Sequence, residues 1–294
     1  MYNHTLKAFV CAADCGSFTK AAEKLYISPT AVMKQINTLE GELGVKLFYR
    51  TNQGIILTRA GESVYKDARY LFDFSQKAIE RAREIDGSTE RTFCIGTSLL
   101  NPCKPFMDLW QSVGKYFDGY KLHIIPFEDN HMSIVSEIAL LGIKFDFLIG
   151  VCDSAQWLSK CSFKPLGKYK KCVAVPTYHR LAGRKSITLK DLYGENLMMV
   201  KKGDSPLNDR IRDDIEKNHP LIHLVDTPQY YDINVFNRCS ETGDVLLTIE
   251  CWRDVHPLLV TIPVEWDYSM PYGLLYAKNP PSDVQRLVDI AAGA

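Results

Sequence analysis

Apolar residues recur at helical spacing near the start of the chain. Positions 6, 9, 10 and 13 are apolar, and this spacing predicts an amphipathic helix over residues 3–13. Gly16 and Ser17 interrupt the pattern. Thr19 then provides an N-cap for a short second helix over residues 20–25. These elements predict a small helical domain at the N-terminus.

A third helix is predicted over residues 29–43. Ser28 before Pro29 favours a helix start, and Gly44 favours its end. One face is an apolar stripe, and another carries Thr30, Met33, Lys34 and Asn37. These side chains suit contacts with phosphates, base edges and thymine methyl groups. Periodicity leaves two interpretations open: a helix-turn-helix, or a helical hairpin with a solvated polar face.

The segment after this helix predicts a two-stranded wing. Residues 47–50 lead into a strand, residues 51–54 form a turn and residues 55–58 return. A wing beside a recognition helix usually contacts the sugar-phosphate backbone, where Arg50 would bind a phosphate. The predicted DNA-binding residues are Ser28, Pro29, Thr30, Met33, Lys34, Asn37, Arg50, Asn52 and Thr58.

Residues 17–62 closely resemble the N-terminal domain of LysR-type transcriptional regulators. The matching positions are Ala21-Ala22, Leu25, Ser28, Ala31-Val32, Gln35-Ile36, Leu39-Glu40, Leu43-Gly44, Leu47-Phe48, Arg50, Leu57-Thr58 and Ala60-Gly61. The family usually has Gln-Pro where this chain has Pro29-Thr30, often Ser at Met33 and often a basic residue at Gln53. These differences bear on the operator sequence more than on DNA binding.

A long helix is predicted after the wing, because neither glycine nor proline occurs between Gly61 and Gly87. Spacings of four and three residues define an apolar seam. We considered a helix that packs on its own domain as the alternative to a dimerisation helix. The resemblance implies a dimerisation linker, with seam residues Val64, Ala68, Leu71, Ala78, Ala82 and Ile85. The predicted domains are residues 1–60, the linker and hinge at 61–90, and residues 91–294.

Residues 91–294 alternate between strand and helix patterns, which predicts an α/β fold with largely parallel sheets. The strands are predicted at 92–97, 121–127, 145–150, 171–176, 197–201, 222–225, 245–250, 258–262 and 273–277. The helices are predicted at 104–116, 132–141, 206–218, 231–242 and 282–292. The resemblance implies a two-lobed effector domain of the periplasmic-binding-protein kind, with a ligand cleft between the lobes.

Ligands of open α/β sheets bind beyond the carboxyl ends of strands, where helix N-termini suit an anion. The turns at 97–98 and 203–206 join predicted strands to predicted helices and carry hydroxyl groups. Asp204 is interpreted as a solvated surface residue. The predicted effector contacts are Thr97, Ser98, Phe127, Ser205 and Thr248. Because several of these groups are neutral, an organic anion is only one candidate for the effector.

Charge is unevenly distributed along a chain of zero formal net charge. Residues 1–60 contain seven bases and four acids, a net charge of +3, while residues 91–294 contain 23 bases and 24 acids. The excess in the first segment is modest but fits contact with nucleic acid. The nine cysteines are interpreted mainly as reduced, buried thiols. A redox pair of Cys152 and Cys161 is the less favoured alternative.

No catalytic motif, metal-binding motif or dinucleotide fingerprint occurs in the sequence. We therefore expect a regulator that is not an enzyme and has no cofactor. Its expected partners are double-stranded DNA, a small-molecule effector and further copies of itself in a homodimer or homotetramer. A cytoplasmic location without membrane contact is expected, because neither a signal peptide nor a membrane span is visible. The alternative is a cytoplasmic small-molecule-binding protein or enzyme with an appended helical domain.

Overall fold

A computed structural model describes residues 4–51, 54–85, 91–129 and 134–291; side chains at 73, 77 and 80–85 lie outside this description. The chain divides into two compact units, Met1–Thr89 and Glu90–Ala294. The winged segment and the long helix after it therefore belong to one unit. The remaining α/β segment forms the second unit.

The first unit contains four helices and a two-stranded sheet within its described residues. They are α1 (His4–Cys15), α2 (Phe18–Leu25), α3 (Pro29–Leu43), β1 (Phe48–Thr51), β2 (Gly54–Leu57) and α4 (Arg59–Ile85). Helix α2 begins before the predicted residue 20, because Ser17 rather than Thr19 is its N-cap. The Ser17 hydroxyl accepts the Lys20 N–H at 3.5 Å, which satisfies a free donor of the first turn.

Aromatic rings join the wing to the helices of this unit. Phe48 of β1 packs against Phe9 of α1 and Phe18 of α2, with centroid distances of 5.4 and 5.7 Å. Burial of such side chains supplies about 1.5–3 kcal/mol each. This core fixes the wing beside α3, which forms the outer face described below.

The second unit contains nine strands and six α-helices within its described residues. The strands are β3 (Thr92–Thr97), β4 (Lys121–Pro126), β5 (Phe147–Val151), β6 (Cys161–Pro176), β7 (Asn196–Val200), β8 (His223–Thr227), β9 (Val245–Ile249), β10 (Leu259–Pro263) and β11 (Ser269–Ala277). The helices are α5 (Lys104–Val113), α6 (Ile134–Ile138), α7 (Ala155–Leu158), α8 (Pro206–Asn218), α9 (Ile233–Thr242) and α10 (Ser282–Ala291).

The strands form one mixed sheet in the order β4-β3-β5-β11-β6-β9-β7-β8, and β10 pairs with β6. Strands β3, β4 and β5 are parallel in one lobe, as are β7, β8 and β9 in the other. Strands β6 and β11 pair antiparallel with their neighbours and join the lobes. The prediction of largely parallel sheets holds within each lobe and is wrong at the junction.

Strand β6 begins ten residues before the predicted residue 171. Pro165 and Gly167 lower the strand propensity of its first half, but pairing with β11 overrides that local preference. Residues 161–170 pair with β11, and from Lys171 the strand pairs with β9. The Lys171 N–H donates to the Tyr268 carbonyl, and the Trp266 indole N–H donates to the Lys171 carbonyl, each at 2.9 Å. Lys171 therefore lies where one strand passes between the lobes.

Candidate DNA-binding surface and ligand pocket

A shallow groove lies along the outer face of α3 beside the wing. It is lined by Thr30, Met33, Lys34, Asn37, Thr38 and Arg50. Five of these six were predicted from the sequence, and Thr38 was not, although it follows Lys34 by one helical turn. The Thr38 hydroxyl donates to the Lys34 carbonyl at 3.0 Å. The groove presents two exposed cations beside hydroxyl and amide groups, which is the chemistry that contacts phosphates and base edges.

Both ends of α3 are set by local chemistry. The Ser28 hydroxyl accepts the Ala31 N–H at 3.1 Å, Pro29 occupies the first turn, and Gly44 ends the helix at a φ of 69°. The predicted limits of this helix are thereby confirmed. Ser28 and Pro29 are exposed at its N-terminus.

Thr58 does not lie on the DNA-facing surface as predicted. It is buried, its hydroxyl donates to the Lys46 carbonyl at 2.7 Å, and it accepts the Gly61 N–H at 2.9 Å. These bonds cap the start of α4, so the side chain has a structural role. Asn52, also predicted as a DNA contact, lies outside the described residues.

A buried carboxylate connects α3 to the segment that precedes the wing. Glu40 is 8% exposed and accepts the Leu47 N–H at 2.8 Å and the Lys46 ammonium at 2.6 Å. Burial acts to raise the pKa of Glu40, but these hydrogen bonds outweigh it and lower the pKa. The ionised side chain therefore holds the groove-forming helix and the β1 segment together.

The seam residues of α4 occupy different environments. Ala68 is buried in the core of its own unit, and Val64 is half-buried beside it. Leu71 is 48% exposed, and Ala78 is half-buried. The side chains of Ala82 and Ile85 lie outside the described residues. The first two seam residues thus stabilise the folded unit, because the wing and α1 pack against the start of α4.

The second unit contains a pocket between its two lobes, with about 810 Å³ of atom-free space including the mouth. The cavity volume that small ligand atoms can occupy is about 110 Å³, so the pocket accommodates a small ligand. Apolar and aromatic side chains form much of the wall, including Leu100, Ile134, Trp157, Tyr230, Tyr231 and Trp252. Polar side chains from both lobes interrupt this wall. The pocket suits a small organic ligand.

Three carboxylates line the pocket, and backbone N–H groups already bind each of them. Asp153 accepts the Ser205 hydroxyl at 2.8 Å and the Leu207 N–H of α8 at 3.0 Å. Asp129 accepts the Leu100 N–H at 2.7 Å. Asp204, interpreted from the sequence as a solvated residue, lies in the wall and accepts the Gln156 N–H of α7 at 2.9 Å. The N-terminus of α8, one of the two predicted to receive an external anion, is thus bound by the chain's own Asp153.

Of the five predicted effector contacts, the structure brings Ser205 to the pocket. The Thr97 hydroxyl accepts the Cys103 N–H at 3.1 Å, where it supports the start of α5. Phe127 packs at 5.7 Å from the Phe145 ring in a hydrophobic cluster. Thr248 is 1% exposed within β9, and its hydroxyl has no partner among the described residues. These three side chains lie outside the pocket lining because the core or a turn holds them.

Ser98 does not line the pocket, but it bonds to two residues that do. Its hydroxyl donates to Asp129 at 2.7 Å and accepts the Asn101 N–H at 3.1 Å. Both partners line the pocket, but Ser98 does not. The structure therefore places Ser98 where it orients two lining residues.

Lys171 is a lining residue that the sequence interpretation missed. It is 6% exposed, and its ammonium group has no hydrogen-bond partner among the described residues. Burial lowers the pKa of Lys171 to about 8, and the nearby charge of Asp153 opposes that shift only in part. The pocket wall therefore contains a buried cation with unused hydrogen-bonding capacity.

Comparison with known proteins shows the family to which the chain belongs. Residues 4–62 match the family of bacterial regulatory helix-turn-helix proteins of the lysR family. The regulator BudR of Klebsiella aerogenes is 41% identical over 100 residues, which cover 34% of this chain and 70% of BudR. The chain belongs to the LysR family. The regulator CysL of Bacillus subtilis is 28% identical over 209 residues, 69% of this chain and 66% of CysL.

The whole chain also has the fold of a solved LysR-family regulator. The match to the crystal structure of CbnR covers 100% of this chain and 99% of CbnR, with a TM-score of 0.67 and 16% identity. CbnR in complex with its target DNA gives a TM-score of 0.63 at 14% identity. The predicted fold class is confirmed: an N-terminal winged helix-turn-helix and a two-lobed α/β effector domain. This LysR-type chain is thus a member of a family of DNA-binding transcriptional regulators rather than of an enzyme family.

Two signals in the sequence of this LysR-type protein could have located the pocket residues. Asp153 and Ser154 follow β5 in the same way that residues 97–98 follow β3, so the strand-end rule applies to both turns. Lys171 stands at the start of an otherwise apolar run through Val175. A lysine there indicates a buried charge, which usually has a function or a partner.

The thiols of Cys152 and Cys161 are buried and free. Burial raises the pKa of Cys152 to about 12 and that of Cys161 to about 11. The thiolate is the reactive form, so this environment disfavours oxidation and supports the interpretation as buried thiols. In the described ranges, no helix is both long enough and apolar enough to cross a membrane.

Proposed function

We propose that this LysR-type chain is a cytoplasmic transcriptional regulator that reads duplex DNA through the groove along α3. The main support is the convergence of Thr30, Met33, Lys34, Asn37 and Arg50 in one exposed groove. The helix carries the groups for base edges, and Arg50 at the wing reaches the adjacent phosphates. In this role Ser28 and Pro29 set the start of the reading helix.

The DNA-binding proposal can be tested on a duplex that the protein itself selects. Selection from a random duplex pool provides a bound sequence, and its affinity is then titrated at several salt concentrations. Lys34→Ala should weaken binding and reduce the salt slope by about 1, since one cation–phosphate contact is lost. Lys7→Ala removes a lysine of α1 outside the groove and is the matched control. Equal losses in both variants would contradict the proposal.

We infer that the later part of α4 pairs two copies of the chain. Leu71 and Phe74 are 48% and 42% exposed, and Tyr70 stacks on Phe74 at 6.4 Å. An exposed apolar strip on a long helix is typical of a helix-pairing surface. The seam therefore begins near Leu71, since Val64 and Ala68 are used by the first unit itself.

Sedimentation equilibrium tests this pairing surface. Leu71→Asp should shift the chain from dimer or tetramer toward monomer, because a charge in the seam must be desolvated on pairing. Ile56→Asp changes another exposed apolar residue, on the wing, and should leave the mass unchanged. A monomeric wild type, or an unchanged mass for Leu71→Asp, would contradict the inferred surface.

We also propose that the interlobe pocket is the effector site. Its apolar wall and its few convergent polar groups are those of a small-molecule site. Ligand binding would alter DNA affinity only if the ligand prefers one of two arrangements of the protein. The test is a DNA titration with and without a compound shown to bind in the pocket. A bound compound that leaves DNA affinity unchanged would contradict the regulatory role.

A further inference from the structure

Lys171 is a buried lining residue, and its ammonium group differs from the other charged groups in the pocket. Among the described residues that line the pocket, Lys171 is the sole cation, and no hydrogen-bond partner for its ammonium lies within that part of the chain. The three lining carboxylates are each bound by a backbone N–H. Charged side chains of buried residues are normally hydrogen-bonded, so an ammonium that lines the pocket without a bonded partner is available to a ligand.

We propose that the pocket recognises a small organic acid whose carboxylate pairs with the Lys171 ammonium. This inference rests on the proposed role of the pocket as an effector site and names the chemistry of that effector. A carboxylate supplies the hydrogen-bond acceptors that the ammonium lacks, and its charge adds to that of Asp153, which offsets the burial of Lys171 only in part. Charge-assisted hydrogen bonds of this kind are stronger than neutral ones.

A second polar side chain specifies more of the ligand. Asn208 of α8 lines the pocket and is 8% exposed, and its carboxamide oxygen has no donor among the described residues. A free acceptor in the wall selects a ligand that carries an N–H or O–H group. The acid therefore bears a hydroxyl or amino group, and its carbon skeleton contacts the aromatic wall.

Lys171 lies at the junction of the two lobes, where a bound carboxylate can contact both of them. Strand β6 leaves β11 and joins β9 at this residue, while Asp153 and Asn208 approach from different lobes. A carboxylate bound at Lys171 thus contacts the junction rather than one lobe alone. Such a ligand can have different affinities for different lobe arrangements, which an effector requires.

A panel of small carboxylic acids of about three to eight carbon atoms tests the proposal. Each acid is used with and without a neighbouring hydroxyl or amino group, together with its primary amide. The melting temperature of the full chain identifies compounds that bind, and calorimetry gives their affinities. Acids with the added donor should stabilise the protein, and their amides should not. Stabilisation by amides and acids alike, or by no acid in the panel, would overturn the proposal.

Three variants localise the effect to Lys171. Lys171→Met should weaken the best acid by roughly tenfold or more, since a buried charge pair is lost. Lys171→Arg retains the charge and should restore part of the affinity. Lys170→Met is the matched control, because its neighbouring side chain is exposed. An acid that binds Lys171→Met as tightly as wild type would contradict the pairing, and a cooperative melting transition without ligand shows that the variant folds.

The pH dependence of acid binding provides an independent readout. The affinity should fall above pH 8, because the pKa of Lys171 is lowered to about 8 and the neutral amine cannot pair with a carboxylate. Other titratable groups that line the pocket or neighbour Lys171 are Asp129, Asp153, Asp204, Tyr230, Tyr231 and Cys172. Burial raises the pKa of both phenols and raises that of Cys172 to about 11. The same fall in Lys171→Met would assign the pH dependence to another group and contradict this part of the proposal.

Failure of this inference can be separated from failure of the regulator function. Acid binding is measured on the protein without DNA. If an acid binds at Lys171 but does not change DNA affinity, the ligand chemistry stands and the effector role falls. If DNA affinity responds to an amine or a neutral compound that binds in the pocket, the effector role stands and the ligand chemistry falls.

Discussion

The DNA groove and the ligand pocket place their charges in opposite environments. Lys34 and Arg50 are exposed on a surface formed by one helix and the strand that follows it. Lys171 is buried in a wall formed by residues from Leu100 to Met270. An exposed cation costs little and contributes mainly to affinity for an anionic partner. A buried cation costs stability until a ligand pairs with it. The two sites therefore differ in how strongly binding and folding are coupled.

The largest expected effect concerns a buried charge that supports the groove. Glu40→Gln should lower the free energy of unfolding of the first unit by about 2–3 kcal/mol, because the Leu47 N–H and the Lys46 ammonium lose a charged acceptor. Denaturant unfolding followed by far-ultraviolet circular dichroism measures the change. Lys46→Met is the control, and it should cost less, because Lys46 is 77% exposed.

The same residue gives the stability of the first unit a pH dependence with a defined sign. Because the pKa of Glu40 is lower in the folded state than in the unfolded chain, its contribution is present above the unfolded pKa. The contribution is lost as the pH falls through the folded pKa. An acid-unfolding midpoint that is the same in Glu40→Gln and wild type would show that this carboxylate does not support the groove.

The next largest effect should separate binding from folding at the groove. Arg50→Ala should weaken operator binding about tenfold and lower the free energy of unfolding by no more than about 1 kcal/mol, since the side chain is exposed. Its guanidinium also lies 5.5 Å from the Phe18 ring centroid, a contact worth about 0.5–1 kcal/mol at an exposed site. Gel-shift titration and thermal unfolding provide the two readouts. A fall in stability as large as the fall in affinity would remove the contrast with the pocket.

Lys171 should differ from Arg50, because its buried charge should affect the stability of the folded protein itself. The folded protein releases the Lys171 proton near pH 8, while the unfolded chain retains it to about pH 10.5. Between these values the unfolded state binds more protons, so this residue makes stability rise with pH. Relative to Lys171→Met, the wild type should gain about 1 kcal/mol between pH 8 and 9. If the free energy of unfolding changes with pH in the same way in both proteins, burial does not lower the pKa of Lys171.

The smallest effect is expected for Ser98→Ala. Ser98 orients Asp129 and Asn101 but does not line the pocket, so its loss should weaken acid binding only several-fold, about 1 kcal/mol or less. DNA affinity without ligand should be unchanged. Calorimetry with the best acid checks this expectation. A loss as large as that of Lys171→Met would instead indicate a direct contact.

The sequence predicted the groove more completely than the pocket for a physical reason. Thr30, Met33, Lys34 and Asn37 lie on one face through helical periodicity, so a local rule was sufficient to bring them together. The prediction of Thr58 as a DNA contact was wrong, because a hydroxyl at the end of a strand can equally cap the next helix. The pocket depends on contacts distant in sequence, such as Asp153 with Ser205. The strand-end rule located Ser205, but it did not show that the nearby carboxylates would bind the helix N-termini.

The hydrogen bonds to the backbone of Lys171 affect how the two lobes can move. Its N–H is held by Tyr268 and its carbonyl by Trp266, both in the segment that leads into β11. A twist of one lobe against the other would strain both of these hydrogen bonds, so the backbone at Lys171 would resist such a movement. The strength of these two hydrogen bonds, together with the pocket contacts, would then determine how far a bound ligand can rotate one lobe against the other.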